Sequence, residues 1–245
     1  MESDLSTIGP QLNVALIGAS GGLGSAFLDL LSADPNVDTI YVLTRRDITV
    51  THDKIITHHL NYNDEATIAR AAGLIDAPLH IILIATGFLH DESTQPEKAL
   101  RDLSIDGFHK NFMINCIGPA LVAKHFVPKL PRHNPSVFAA ISARVGSIAD
   151  NKIGGWYAYR ASKAALNMVI KTTAIEVARR YDNTCVIGLH PGTVATALSS
   201  PFSEKVKHTV FTPQQSASYL LRVISQATAA DSGKILAWDG HEISP

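Results

Sequence analysis

Leu12-Asn13-Val14-Ala15-Leu16-Ile17 runs directly into Gly18-Ala19-Ser20-Gly21-Gly22-Leu23-Gly24, and Ser25-Ala26-Phe27-Leu28-Asp29-Leu30-Leu31 follows. The first six residues are a short apolar run that ends at glycine, the pattern of a buried strand. The last seven carry apolar residues at helical spacing. The order is therefore strand, glycine loop, helix. Backbone can approach a pyrophosphate closely only where Cβ is missing, and a helix N-terminus presents free N–H groups to an anion. The spacing is Gly-x-x-x-Gly-x-Gly through Gly18, Gly22 and Gly24. An ordinary glycine-rich turn has a similar composition, but the flanking strand and helix favour a nucleotide site. Gly18, Ser20, Gly21, Gly22, Leu23 and Gly24 are its candidate contacts.

Further along, apolar strand candidates alternate with helical stretches: 12–18, 39–44, 55–60, 80–86, 136–142, 184–190 and 234–238. Such alternation predicts an α/β fold, a Rossmann-type doubly wound parallel sheet of about seven strands with helices on both faces. No repeat, low-complexity linker or composition break divides the chain, so 1–245 reads as a single domain. Residues 106–127 and 157–181 read as long helices, and Pro128 and Pro131 punctuate the end of the first. The polar stretch 91–104 reads as a loop and surface helix. Thr212-Pro213-Gln214-Gln215 reads as a helix start, with a cap, a proline in the first turn and Gln three residues on.

The second strand, Thr39-Ile40-Tyr41-Val42-Leu43-Thr44, ends in Arg45-Arg46. In a dinucleotide fold an acid at this point bonds the ribose hydroxyls of NAD, whereas arginine accommodates the extra phosphate of NADP. No acid ends the strand, and Asp47 comes only after the arginines. NADP(H) is therefore preferred over NAD(H), with Arg45 or Arg46 on the phosphate. The alternative is a pair of solvated surface arginines.

Tyr159 and Lys163 stand four residues apart in Tyr157-Ala158-Tyr159-Arg160-Ala161-Ser162-Lys163. On a helix that spacing puts the phenol and the ammonium on one face. A nearby positive charge favours the phenolate and moves its pKa down from about 10. A tyrosine so poised exchanges a proton with a substrate oxygen. Alone, this spacing is common on solvated helix faces.

Together with the glycine loop, these residues make the chain resemble a short-chain dehydrogenase/reductase. In Ser142-Ala143-Arg144-Val145-Gly146-Ser147-Ile148-Ala149-Asp150-Asn151, continuing through Gly154-Gly155-Trp156 to Lys163, it is similar to the sniffer and C-factor-like branch of carbonyl reductases. The resemblance implies hydride transfer between a nicotinamide and a carbonyl or alcohol carbon. It casts Tyr159 as general acid/base and Lys163 as the group that lowers its pKa and bonds the nicotinamide ribose. Asn115, in Asn115-Cys116-Ile117-Gly118, matches the family's Asn-x-x-Gly and implies a water relay from Lys163. Pro191-Gly192 matches the turn after the sixth strand, and Thr196 the residue that bonds the cofactor near the nicotinamide. Gly87 permits close approach of backbone on the adenosine side.

Three positions depart from the family pattern. The usual catalytic serine falls on Ala143. Ser142 is taken as the donor to the substrate oxygen, although a one-residue step along a strand reverses the side chain, so the strand end must be bulged or twisted. Asn61, beside Tyr62, stands where an acid often meets adenine, and an amide there can still bond the base. Thr86 stands where the family has the asparagine of Asn-Ala-Gly.

Composition sets the remaining bounds. The chain has 245 residues, 46% of them hydrophobic, and a net charge of −1. That balance gives no electrostatic case for nucleic acid or an anionic membrane. No apolar run approaches the ~20 residues of a spanning helix, and the acidic N-terminus lacks the features of a signal peptide. Cys116 and Cys185 are too few for a disulfide framework, and the eleven histidines lack metal-ligand spacing. A cytoplasmic protein with reduced thiols and no metal is expected. The apolar segment Ala197–Phe202 with Val210-Phe211, and the rings of Phe88 and Trp156, suggest an apolar carbonyl or alcohol substrate. The two long helices carry apolar residues on more than one face, as in a homo-oligomer, a dimer or tetramer; a monomer with thick coverage would show the same pattern. The alternative function is a catalytically weak NADP(H)-binding sensor or signalling protein on the same fold. A sugar-nucleotide epimerase is disfavoured by the short chain.

Overall fold

The computed structural model describes residues 5–46, 52–199 and 209–245. Nine strands are present among them: β1 (Leu12–Ile17), β2 (Val37–Thr44), β3 (Ile55–His59), β4 (Ile81–Ile84), β5 (Ser136–Ile141), β6 (Thr184–His190), β7 (Thr193–Val194), β8 (Val210–Phe211) and β9 (Ile235–Ala237). The helices are α1 (Gly22–Ala33), α2 (Glu65–Gly73), α3 (Ile105–Phe112), α4 (Gly118–Phe126), α5 (Tyr157–Val177) and α6 (Pro213–Gln226). Seven strands form one sheet in the order β3-β2-β1-β4-β5-β6-β9, and every pairing is parallel. This is the doubly wound arrangement read from the sequence, and the order reverses between β1 and β4, where such sheets open a crevice.

Parallel strands covered on both faces read as continuous apolar runs, and β4 does so throughout and β1 from Val14 onward. One face packs on α1 and α6 through Leu16, Phe27, Leu31, Leu220 and Ile224. The other packs on α2, α4 and α5 through Ile17, Ile68, Phe126, Leu166 and Ile170. Burying one such side chain contributes about 1.5–3 kcal/mol, so the two layers fix the strand ends that carry the site.

The start of α6 is as its sequence predicts. Thr212 Oγ1 accepts from Gln215 N at 3.1 Å, and Gln215 Oε1 accepts from Thr212 N at 2.9 Å. The expected helix 106–127 is broken instead by a π turn at Met113–Ile117, where Gly118 N donates to the Met113 carbonyl. Pro119 has no N–H for the Asn115 carbonyl four residues back, which is a sufficient cause. The helix over 157–181 ends at Val177. The surface helix expected in 91–104 reduces to one 3₁₀ turn, Leu100–Asp102. The short ribbon β7–β8 was not foreseen. Ser200, Pro201 and Phe202 of the expected apolar segment, together with Asp47, lie outside the described residues.

Candidate active site

The carboxyl ends of the central strands open into a cavity of about 920 Å³, within the range of pockets that hold a cofactor or ligand. Of the candidate site residues, all but Gly24 and Asn115 line it. At one end the chain leaves β1 at Gly18, whose φ is 95°, a value that costs glycine little. Gly24 is buried behind it, and a Cβ there would strike the Gly18 carbonyl oxygen. The start of α1 can therefore close onto the strand only as glycine. Thr196 lies across this loop, its methyl 3.0 Å from where a Cβ on Gly22 would be.

Beside the loop, Thr44 Oγ1 donates to the Arg46 carbonyl at 2.7 Å and accepts from Arg46 N at 3.2 Å. This turn sets Arg45 and Arg46 at the cavity edge, both exposed. Asn61 and Tyr62 form the adjoining wall. Asn61 Oδ1 accepts from Asn63 N at 3.1 Å. The Tyr62 hydroxyl meets Thr86 Oγ1 at 2.9 Å, and burial raises its pKa. The Tyr62 ring lies directly against Gly118, where a Cβ would collide with it. Thr86, the departure from the family asparagine, is thus tied to a tyrosine that follows β3, at the edge of the sheet. On the far side, Gly192 has φ 73° and packs under Phe211 and Trp238, while Ser216 Oγ donates to the Pro191 carbonyl at 2.8 Å.

The first turns of α5 supply the other end. Tyr159 and Lys163 share a face as expected, with Lys163 Nζ 5.9 Å from the Tyr159 ring centroid. Lys163 is 1% exposed, and its Nζ donates to the Ile141 carbonyl at the end of β5, 2.8 Å away. Gly146 presses against the same turn, since a Cβ on it would lie 2.9 Å from the Lys163 backbone and Cβ. The expected depression of the tyrosine pKa is not what this environment produces. Burial pushes the Tyr159 hydroxyl up to about 12 and the Lys163 ammonium down to about 7. Desolvation disfavours both charged forms, and Lys163 aims its charge at a carbonyl rather than at the phenol.

Asn115 is fully buried and stands behind the pair. Its Nδ2 donates to the Phe88 carbonyl at 2.8 Å and to Ser162 Oγ at 3.0 Å, and its Oδ1 accepts from Phe88 N at 2.8 Å. Ser162 Oγ in turn donates to the Tyr159 carbonyl at 2.8 Å. The side chain of Asn115 thus ties the end of β4 to α5. Cys116, on the same turn, is buried, and burial pushes its thiol up.

β5 keeps its register to Ile141, and Ser142 N continues the ladder onto the Leu189 carbonyl at 2.8 Å. No bulge turns the strand at Ser142. Its Oγ donates to Asn167 Oδ1 of α5 at 2.6 Å and is 1% exposed. Ala143 follows in extended conformation, before a 3₁₀ turn at Arg144–Gly146. Sequence reasoning missed Asn167, the Tyr62–Thr86 pair and the Thr44 turn. Each partner is set by a fold contact and carries no motif.

This strand–loop–helix cradle and the buried tyrosine and lysine at the far end of one crevice are features of a nicotinamide oxidoreductase of the Rossmann class. Comparison with known proteins agrees. The family model described as enoyl-(acyl carrier protein) reductase matches residues 47–242, and the chain belongs to the short-chain dehydrogenase/reductase family. It is 36% identical to a Rhodococcus 1-hydroxy-2-glutathionyl-2-methyl-3-butene dehydrogenase over 56% of this chain and 58% of that protein. It is 34% identical to C-signal of Myxococcus xanthus over 59% of this chain and 82% of that one. The fold matches that of the NADPH-bound carbonyl reductase from chicken fatty liver, with a TM-score of 0.81 and 22% identity over 96% of this chain and all of that one. Among the described residues no helix is long and apolar enough to cross a membrane, and no cluster of His, Cys, Asp and Glu could hold a metal ion.

Proposed function

We propose that the protein is an NADP(H)-dependent oxidoreductase acting on a small carbonyl or alcohol. The observation that carries this reading is that the glycine loop, the two exposed arginines and the buried Tyr159–Lys163 pair all face one cavity. The cradle formed by Gly18 and Gly24 suits a pyrophosphate, and Arg45 and Arg46 suit a ribose phosphate. The nicotinamide, when bound, supplies or accepts the hydride.

With its pKa near 12, Tyr159 holds its proton at neutral pH and can give it to an alkoxide that develops within hydrogen-bond reach. Lys163, poised near 7, can take a proton or release one as Tyr159 is recharged. In this reading its ammonium also bonds the nicotinamide ribose. In this reading Asn115 also holds the water that links Lys163 to solvent. Ser142 serves the substrate oxygen only by exchanging Asn167 for it. Phe88, Val145 and Trp156 make the substrate end of the cavity largely apolar, which favours hydrophobic aldehydes and ketones. Exposed Met168 and Ile175 on α5 and Ile117 beside α4 support a homo-oligomer.

A second reading, an NADP(H)-binding sensor with little turnover, is favoured by Ala143 and by the commitment of Ser142 to Asn167. NADPH oxidation over aldehydes, diones and quinones, with Tyr159→Phe beside the wild type, separates the two. We expect turnover that falls about 10²–10⁴-fold in the variant, with NADPH affinity retained. NADPH binding without turnover on any substrate of the panel supports the sensor.

A further inference from the structure

Helix α5 begins without a cap of its own. Trp156 stands at its N-terminal boundary in the left-handed region, with φ 53° and ψ 45°, behind Gly154 and Gly155 at φ 70° and 66°. Its boundary residue contributes no side-chain cap, and its first turn contains no acid. The first N–H groups of a helix need acceptors from outside it, and Tyr159 lies in that turn.

The acceptors come from a residue sixty-one positions earlier. Glu97 takes Trp156 N on its backbone carbonyl and Ala158 N on its carboxylate Oε2, 3.2 Å away. Its side chain belongs to the interior, being only 5% exposed. The other carboxylate oxygen lies over α3, 3.5 Å from where a Cβ on Gly107 would be. The segment that carries Glu97 is itself clamped. Lys110 Nζ on α3 donates to Asp91 Oδ2 at 3.0 Å, Ser93 Oγ at 2.6 Å and Thr94 Oγ1 at 3.1 Å. Asp91 and Lys110 line the cavity. Residues 91–97 thus run from the cavity wall to the first turn of the helix that bears Tyr159.

We propose that Glu97 is a positioning residue for Tyr159, its carboxylate fixing where α5 begins and hence where the phenol stands in the cavity. This rests on the reading of Tyr159 as the proton donor. A helix capped by its own flanking residue gains stability, but that cap moves with the helix. An acceptor on another segment ties the helix to the rest of the fold along its axis. Lys163, bonded to Ile141, ties the next turn to β5, so the phenol sits between two external anchors. A carboxylate at a helix N-terminus is also favoured by the partial positive charge there. Proton transfer is sensitive to this placement, because a shift of about 1 Å in a reacting group costs about 10²-fold in rate.

The test is the single-turnover rate of hydride transfer from NADPH to the best substrate of the panel. It is measured with NADPH affinity and thermal midpoint for the wild type, Glu97→Gln, Glu97→Ala and Tyr159→Phe. The expected order is wild type above Gln above Ala, with Ala lowered about 10–100-fold and NADPH affinity within about 2-fold of wild type. The Gln variant keeps an acceptor oxygen without the charge, so its partial rescue reports the bond to Ala158. If Glu97→Ala does not fold, Glu97→Gln decides, with a rate about 5-fold below wild type expected. Equal rates in wild type and the Glu97 variants, with Tyr159→Phe inactive, overturn the proposal alone. So does a loss of NADPH affinity that matches the loss of rate, because that marks a general structural role. Turnover retained in Tyr159→Phe overturns the proton-donor reading itself, and the role of Glu97 with it.

Discussion

The two ends of the cavity are built on different principles. The glycine-loop end is made by backbone. Gly18 turns with φ 95°, Gly24 lets α1 close onto β1, and Thr44 fixes the two arginines through a local turn. Each of these three lies within a few residues of the group it places. The catalytic end is made by side chains held from afar. Phe88 and Asn115, Ser142 and Asn167, Glu97 and Ala158 are pairs separated by 27, 25 and 61 positions. A loop that needs only missing Cβ atoms tolerates drift in its neighbours. A constellation assembled across several elements tolerates little, and it holds the Ala143 departure, whereas Asn61 and Thr86 stand at the cofactor end.

The energetic contrast is sharpest at Lys163. Its pKa lies near 7 in the folded chain and near 10.5 when unfolded, so between those values the unfolded chain binds more protons. Stability must then rise with pH across the window from about 7 to 10.5. The slope approaches about 1.4 kcal/mol per pH unit for this one group, on the order of 5 kcal/mol across the window. Tyr159 acts in the opposite sense, since a pKa raised from 10 to about 12 makes the folded chain hold the extra proton there. Cys185, raised from 9 to about 12 by burial, does the same from pH 9 upward. The clean observable is therefore a difference. Denaturant unfolding of wild type minus Lys163→Met, measured from pH 6 to pH 9, should slope upward above pH 7. A flat difference would mean that the ammonium is solvated and that the catalytic end carries no such stored cost.

The glycine-loop end should respond in binding rather than in stability. Arg45→Ala with Arg46→Ala removes the groups set on the ribose-phosphate side. We expect NADPH affinity to fall about 10–100-fold, as for the loss of charged hydrogen bonds worth about 1.5–3 kcal/mol, with NADH affinity nearly constant. Calorimetric titration with both cofactors decides it. Equal losses for the two would show that the arginines steer any dinucleotide, and would leave phosphate recognition to other residues.

The same contrast explains how much the sequence disclosed. The strand–glycine–helix order, the alternation of strands and helices and the capping box of α6 were legible because each is a local pattern of backbone demand. Tyr159 and Lys163 were legible as a face of one helix. Their pKa directions were not, because spacing gives proximity and not burial, and here desolvation outweighs the neighbouring charge. The π turn is explicable after the fact by Pro119 at its C-terminal edge. Glu97 gave no signal at all, since a polar stretch reads as surface and only the fold shows the residue 5% exposed with its carboxylate on a helix start.

Ser142 is the residue on which the comparison turns most finely. Its hydroxyl must either stay with Asn167, as a structural link between β5 and α5, or leave it to polarise a carbonyl in the cavity. The bond is short, 2.6 Å, and the hydroxyl is nearly sealed from solvent. A hydroxyl that donates to Asn167 Oδ1 has no second proton for a substrate oxygen. We therefore expect Ser142→Ala to lower stability by about 1 kcal/mol, the worth of one buried hydrogen bond. Its rate of hydride transfer should change by less than about 5-fold, far below the 10²-fold or more that follows loss of a donor in the transition state. Kinetics of Ser142→Ala beside Asn167→Ala read the two outcomes apart. A large loss in the first alone would mean that the serine swings to the substrate, and that the one-residue displacement from the family position is made good by rotation of this side chain. Small and equal losses would leave Tyr159 as the sole side-chain donor to the oxygen, and the catalytic end would work with that one hydrogen bond.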